Sequence, residues 1–341
     1  MKVRELGEFP LIELVADLVG RGEKDAPASS AGGRLLIGIG DDASLWHCRN
    51  TFELATTDTL VAGVHFTVPE ATWHELGWKA LAINLSDIAA MGGLPRYCLV
   101  TLGLTAETAV EEVLQFYRGL LELAEPWGVV VAGGDFVASP VLTITVAVVG
   151  EAPTALDGSP QVLRRSAAQV GEAIAVTGHL GSSAGGCRLL SQKLSFDRET
   201  ATWLRRAHLQ PEPRLAEGRA LVEAGIRAAI DVSDGLVDDL AKLCRASGVG
   251  ARINLEAIPV HPKLQAAFPQ DWREMALSGG EDYELLFAAP RETVADVARR
   301  VRVPITVIGQ VMPGQGVTVV DERDEALSIG KGGWDHFRAQ R

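Results

Sequence analysis

The sequence predicts an α/β protein built as two domains, and three observations carry that prediction. Apolar strand-like runs alternate with helix-period segments along the chain. A turn-rich stretch, EAPTALDGSPQ (151–161), interrupts the alternation near its middle. The 341 residues also exceed what one hydrophobic core usually serves, at roughly 150 residues per domain. The expected domains are residues 1–150 and 151–341.

Taken in order, a short helix is expected over Pro10–Val19, then a loop over 21–33, whose residues are small, charged or helix-breaking. Strands are expected at Leu35–Ile39, Phe52–Thr57, Cys98–Leu104, Val129–Ala132 and Val141–Val149, with helices at Thr72–Met91 and Glu107–Glu125. In the second half, strands are expected at Ala173–Thr177, Ala228–Val232, Ala251–Leu255, Glu284–Ala288, Ile305–Ile308 and Val317–Val320. Its helices are expected at Ser183–Gln192, Glu199–His208, Glu212–Ala224 and Leu236–Ser247. No fixed-period repeat or low-complexity tract appears.

Composition narrows the function. Apolar residues make up 47% and charged residues 22%, a balance that buries a core. A formal charge of −12 repels polyphosphate backbones, so nucleic acid is not an expected partner. Cys48, Cys98, Cys187 and Cys244 lie far apart without a CxxC pair, and are read as free buried thiols. No leader-like segment and no apolar run near the ~18 residues of a membrane span is present, so the expectation is a soluble, cytoplasmic protein with no membrane partner.

The informative feature is where the aspartates fall. Asp41 and Asp42 close LLIGIGDD, Asp58 closes ELATTD, Asp135 closes VVVAGGD, and Asp231 and Asp234 lie in AAIDVSD, each next to an apolar run. Strand ends are where α/β folds place ligands. Asp87, in a helical segment three residues beyond Asn84, can join them on one face. Each alone is equally an ordinary turn former or helix N-cap, with Asp234 ahead of Leu236 the clearest case. Recurrence at so many strand exits favours a shared site. Converging carboxylates repel by roughly 4 kcal/mol per pair at 4 Å, so they call for cations, and oxygen ligands of this kind suit Mg²⁺ together with a phosphate-bearing substrate. There is no GxxxxGK[ST] loop and no protein-kinase signature. The glycine-rich TGHLGSSAGG (177–186) follows a strand and opens a helix but lacks GxGxxG spacing; close strand–helix packing accounts for it better than a dinucleotide does.

Eight motifs in order resemble the thiamine-monophosphate kinase family, in the superfamily of aminoimidazole ribonucleotide synthetase. They are GEFPLI (7–12), GIGDDASL (38–45), TTDTLVAGVHF (56–66), KALAINLSDIAAMGG (79–93), AGGD (132–135), IDVSDGLVDDL (230–240), SGGEDYELLF (278–287) and GGWDHF (332–337). Phe136, Gly93 and Trp334 depart from the family's usual Thr, Ala and Tyr, and none of these removes a carboxylate. The resemblance implies a two-domain α/β (α+β) subunit of the aminoimidazole ribonucleotide synthetase-like fold. Its N-terminal domain would bind ATP and Mg²⁺ and pair with a second copy into a dimeric β-barrel, giving a homodimer. It implies ATP-dependent phosphorylation of thiamine monophosphate to thiamine diphosphate. Carried over position by position, Asp41, Thr56, Thr57, Asp58, Asp87, Asp135, Asp231 and Asp234 would bind Mg²⁺. Gly134, Asp135, Arg165 and Ser233 would touch ATP, with Tyr117 near the adenine, while His65, Glu281 and Trp334 would face thiamine monophosphate. A histidine in a loop without catalytic duty is the alternative for His65. No covalent or acid–base catalytic residue is expected, because a phosphate monoester is largely ionised near neutral pH. Selenophosphate synthesis would want a reactive Cys near the N-terminus, and the first Cys here is Cys48. A nucleotide sensor that never turns over would not need the full aspartate set.

Overall fold

The structure is a computed structural model that describes residue 10 and residues 33–48, 51–68 and 70–327. The expected helix near residue 10, the loop that follows it and Trp334 therefore lie largely or wholly outside the described residues.

The first half forms one six-stranded sheet from β1 (Gly33–Ile37), β2 (Ser44–Cys48), β3 (Thr51–Val61), β4 (Leu94–Leu104), β5 (Val130–Ala138) and β6 (Thr143–Ala152). Its order is β1-β2-β3-β6-β4-β5, antiparallel except for β4 with β5. Strand β2 has no counterpart among the expected strands, and β3 and β5 run past their expected ends. Asp58 and Asp135 lie inside strands rather than at their exits. Aspartate and glycine are both depleted in strands, so the expected strands stop before Asp58 and before Gly133.

Side chains alternate across the sheet. One face, carrying Leu54, Val100, Leu102, Ile144, Val146 and Val148, is buried under α1 (Trp73–Ala90) and α2 (Val110–Ala124). Helix α1 opens with a capping box, in which Thr72 and Glu75 satisfy each other's backbone donors. Gly77 and Gly119 let α1 and α2 touch backbone to backbone, since a Cβ on either would sit 1.8 Å from a carbonyl oxygen of the other helix.

The second half forms another six-stranded sheet from β7 (Ala173–Thr177), β8 (Ala228–Asp231), β9 (Gly250–Asn254), β10 (Leu285–Ala289), β11 (Ile305–Met312) and β12 (Gly316–Val320). Its order is β12-β9-β11-β7-β10-β8, antiparallel except for β12 with β9. Helices α3 (Ser182–Ser191), α4 (Arg198–Leu209), α5 (Leu215–Glu223) and α6 (Leu236–Ser247) match the expected segments to within a few residues. Three shorter helices are also present among the described residues: α7 (Pro262–Ala267), α8 (Trp272–Ser278) and α9 (Arg291–Ala298). Helix α1 is buried nearly all round because it packs on β3 and β6 of one sheet and also on β8 and α5 of the other half. All four cysteines are free as expected, but only Cys98 and Cys244 are buried; Cys48 is half-buried and Cys187 exposed, which corrects the expectation for both. No described helix is long and apolar enough to cross a membrane.

Candidate active site

An open cavity of about 1000 Å³ lies between the two halves. Asp41, Asp42, Thr56, Thr57, Asp58, His65 and Asp87 line it from the first half, and Arg165, Ser233, Asp234 and Glu281 from the second. A smaller cavity of about 360 Å³, beside Arg164 and Arg227, contains none of the predicted residues.

Carboxylate oxygens of Asp42 and Asp87, which line the cavity, and of Asp231, which is buried behind it, lie within 4.8 Å of one another. Three separate elements deliver them: the turn between β1 and β2, the last turn of α1, and the end of β8. Each is oriented by a neighbour. Thr56 donates to Asp87 Oδ2 at 2.6 Å, and Ser86 donates to Asp231 Oδ2 at 2.7 Å, which ties α1 to β8. Burial pushes the Asp87 carboxyl well above the usual range, and the charges of Asp58, Asp231 and Asp42 push it the same way. Asp231 is raised by burial and then by Asp42. Carboxylates this close and this dry protonate or take a cation. Asp42 Oδ2 is buried with no hydrogen-bond partner, the kind of orphaned hard oxygen that a divalent ion satisfies.

Arg165 bounds this cluster. Its guanidinium donates to Asp42 Oδ1 at 2.5 Å, and its backbone N–H donates to Asp41 Oδ1 at 3.2 Å. Burial, followed by the Asp42 charge, lifts Asp41 to about 6. Asp42 is thus the acid that joins Asp87 and Asp231, while Asp41 stands beside them. The GDD pair gave no sign of which member would turn inward.

Ser233 and Asp234 sit on the loop from β8 to α6. Sequence reading offered Asp234 as the cap of α6; instead Asp239 Oδ2 accepts the backbone N–H groups of Ser233, Asp234 and Gly235 at 3.0, 2.9 and 3.0 Å. Lys242 pairs with Asp234 and with Asp239. Asp239, missed in the sequence, therefore fixes the shape of the loop that presents Ser233. Its only signal was the acidic pair Asp238–Asp239 in the first turn of a helix.

On the far wall, the Val61 N–H donates to His65 Nδ1 at 3.0 Å, so Nε2 is the nitrogen left to donate. Glu281 lines the same cavity, its side chain 29% exposed.

Gly134, Asp135 and Tyr117 do not reach this cavity within one chain. Residues Thr59, Thr145, Thr101 and Asp135 are successive cross-strand partners on β3, β6, β4 and β5, so they share a face, whereas Asp58 aligns with Val146, Val100 and Gly134 on the other. Three strand spacings, about 14 Å, separate β5 from β3. Gly134 also has a packing reason to be glycine, since a Cβ there would lie 1.8 Å from the Val100 carbonyl oxygen. Tyr117 on α2 meets Phe136 edge-on, with ring centroids 6.4 Å apart.

Known proteins share this architecture. The AIR synthase related protein N-terminal domain family matches residues 40–152, and the corresponding C-terminal domain family matches residues 169–322. Thiamine-monophosphate kinase of Escherichia coli (strain K12) is 38% identical over 339 residues, covering 97% of this chain and 98% of that protein. Thiamine-monophosphate kinase of Bacillus subtilis (strain 168) is 36% identical over 312 residues, covering 89% and 94%. A solved structure described as AaThiL complexed with AMPPCP and TMP superposes with a TM-score of 0.84 at 32% identity, covering 98% of this chain and 99% of that one.

Proposed function

The chain belongs to the thiamine-monophosphate kinase family of AIR synthase related proteins, and from that membership we propose that it transfers the γ-phosphoryl group of ATP to thiamine monophosphate, giving thiamine diphosphate and ADP. The observation that carries the reading is the convergence of Asp42, Asp87 and the buried Asp231 at a cavity that Asp42 and Asp87 line, in a chain whose relatives carry this activity in their names. Mg²⁺ is the cation proposed for them, and when bound it would neutralise charge on the phosphates and align them for in-line transfer.

The chain's own residues do the rest. Asp42, Asp87 and Asp231 would form the innermost ligand set, with Asp41, Thr56, Thr57, Asp58 and Asp234 around it. Arg165, whose guanidinium pairs with Asp42 Oδ1 and leaves Oδ2 for a cation, would face the ATP phosphates, beside Ser233 on its Asp239-braced loop. His65, through Nε2, and Glu281 would hold the thiamine monophosphate, together with Trp334. The acceptor phosphate attacks directly; no protein group needs to take a proton, and no phosphoenzyme forms.

The finer expectation of a homodimer closing a barrel is part of the proposal. Asp135 and Gly134 lie on the edge strand β5, and Asp135 points away from the helices. That uncovered face carries Tyr97, Leu99 and Val137, which are 53%, 48% and 45% exposed. An apolar sheet face of this kind calls for a partner. A second copy packed there through a two-fold contact would bring Asp135, Gly134 and Tyr117 of one protomer toward the site of the other. A cytoplasmic setting remains the expectation for such a biosynthetic enzyme. The test is incubation of the purified protein with ATP, Mg²⁺ and thiamine monophosphate: thiamine diphosphate and ADP in equal amounts support the reading, and ADP without thiamine diphosphate overturns it.

A further inference from the structure

Lys79 lies on α1, eight residues before Asp87, and nothing above uses it. Its side chain is 1% exposed, which makes it one of the largest fully buried side chains of the molecule. A buried ammonium is costly unless it is paired. Its partner is Glu281, whose Oε1 lies 2.9 Å from Nζ as an ion pair rather than an aligned hydrogen bond; no other acceptor among the described residues satisfies that nitrogen. The other carboxylate oxygen, Oε2, lies 3.3 Å from Nδ1 of His208 on α4, and that nitrogen is in turn 3.0 Å from Ser183 Oγ.

Glu281 is an unusual place to find a side chain pinned from two sides. Its backbone has a φ of 64°, the left-handed region that a non-glycine residue enters at a cost on the order of 1 kcal/mol. The loop is held there because the Glu281 N–H donates to the Ser233 carbonyl at 2.7 Å and the Tyr283 N–H to the Val232 carbonyl at 2.9 Å. Burial would raise the Glu281 carboxyl, but Lys79, as the leading opposing charge, holds it below the usual range. Burial, with help from Lys79, pushes His208 down to about 4, so the ring stays neutral and leaves the ion pair to the lysine.

We infer that Lys79 is a positioning residue for the thiamine-monophosphate subsite: from the helix that carries Asp87, it fixes the Glu281 carboxylate of the other half in the orientation in which it meets substrate. It does not touch substrate itself, being enclosed behind Glu281. The pairing also makes the subsite a joint product of α1 and the 278–284 loop, so the group that recognises the acceptor and the acids at the floor are registered by one helix. This inference rests on the proposed kinase activity and on Glu281 as a substrate contact.

The experiment uses the full chain and four variants: Lys79→Met, Lys79→Arg, Glu281→Gln and the double variant Lys79→Met/Glu281→Gln. It measures KM for both substrates by turnover and Kd for thiamine monophosphate by calorimetry. Lys79→Met raises KM and Kd for thiamine monophosphate about tenfold and leaves the KM for ATP within about twofold, because a charge-assisted contact that aims one side chain is lost. Lys79→Arg restores part of the loss. The double variant binds thiamine monophosphate no more weakly than Glu281→Gln, within about twofold, because Lys79 acts only through that carboxylate. The double variant also strands no unpaired carboxylate, so it carries the comparison if Lys79→Met does not fold. Equal weakening of both substrates, or losses that add in the double variant, overturns the inference. A wild-type protein that binds thiamine monophosphate while Lys79→Met binds it equally well overturns the positioning role alone; a wild-type protein that does not bind it overturns the proposed function beneath it.

Discussion

Replacing Asp87 with Asn separates a carboxylate placed for a cation from one placed for the fold, because the two roles predict opposite signs. The carboxamide keeps the shape and keeps an oxygen to accept from Thr56, whose hydroxyl lies 2.6 Å from Asp87 Oδ2. What it removes is one charge from three whose oxygens lie within 4.8 Å of each other. Fully ionised, each such pair repels by about 3.5 kcal/mol or more at an effective dielectric near 20, so the two pairs that involve Asp87 amount to at least about 7 kcal/mol. Most of that is shed without metal, since burial and like charges raise Asp87 and Asp231 toward the protonated form. The expected result is that the variant melts at or slightly above wild type in EDTA. With Mg²⁺ the order reverses: a ligand loss that weakens cation binding a hundredfold removes up to about 2.7 kcal/mol of ligand-linked stability, and the Mg²⁺-induced rise in Tm shrinks accordingly. Turnover falls at least ~100-fold. Thermal melts with EDTA and with MgCl₂, alongside measurement of thiamine diphosphate formed, read all three. A variant that melts below wild type in EDTA yet keeps the full Mg²⁺ shift would refute the reasoning, because Asp87 would then be a structural carboxylate.

Three further outcomes are expected. Asp58→Asn and Asp135→Asn are each inactive alone, but when unfolded and refolded together they recover about a quarter of wild-type turnover, since half the dimers are mixed and each mixed dimer holds one intact site; no recovery would place Asp135 in the same site as its own chain's Asp58. Asp282 accepts the Gly181 and Ser183 amides, and its pKa is lifted to about 8 by burial, with smaller pushes from Glu284 and Glu281. The native state therefore holds a proton there that the unfolded chain loses near pH 4, and this contribution to stability is lost as pH rises through about 8; melts of wild type and Asp282→Asn between pH 5 and 9 should show that the variant lacks the decline. Trp334→Ala should raise the KM for thiamine monophosphate roughly ten- to hundredfold and that for ATP much less, and equal loss for both with a lower Tm would make Trp334 a packing residue.

What the sequence could and could not reveal follows from how far each fact is from its own residue. Element types were legible because they are local: α6 was read to its ends, and Asp41, Asp42, Thr56, Asp58, Asp87, Arg165, Ser233 and Asp234 do meet around one cavity. Which acid of a pair turns inward was not legible, because that depends on a contact between Asp42 and Arg165, more than a hundred residues apart in the chain. Lys79 was missed for a related reason. A lysine four places from Ile83 reads as the wet edge of a helix until it is known that α1 is covered by both halves. Asp58 and Asp135 mark the sharpest limit. Both follow apolar runs and looked equivalent, but the register of β3 on β6 and of β6 on β4 sends them to opposite faces of one sheet, three strands apart. No residue near either one encodes that separation. If both carboxylates serve the same phosphoryl transfer, they belong to different chains of the proposed homodimer. The placement of Asp135 is thus an argument for a shared site as much as a detail of the sheet.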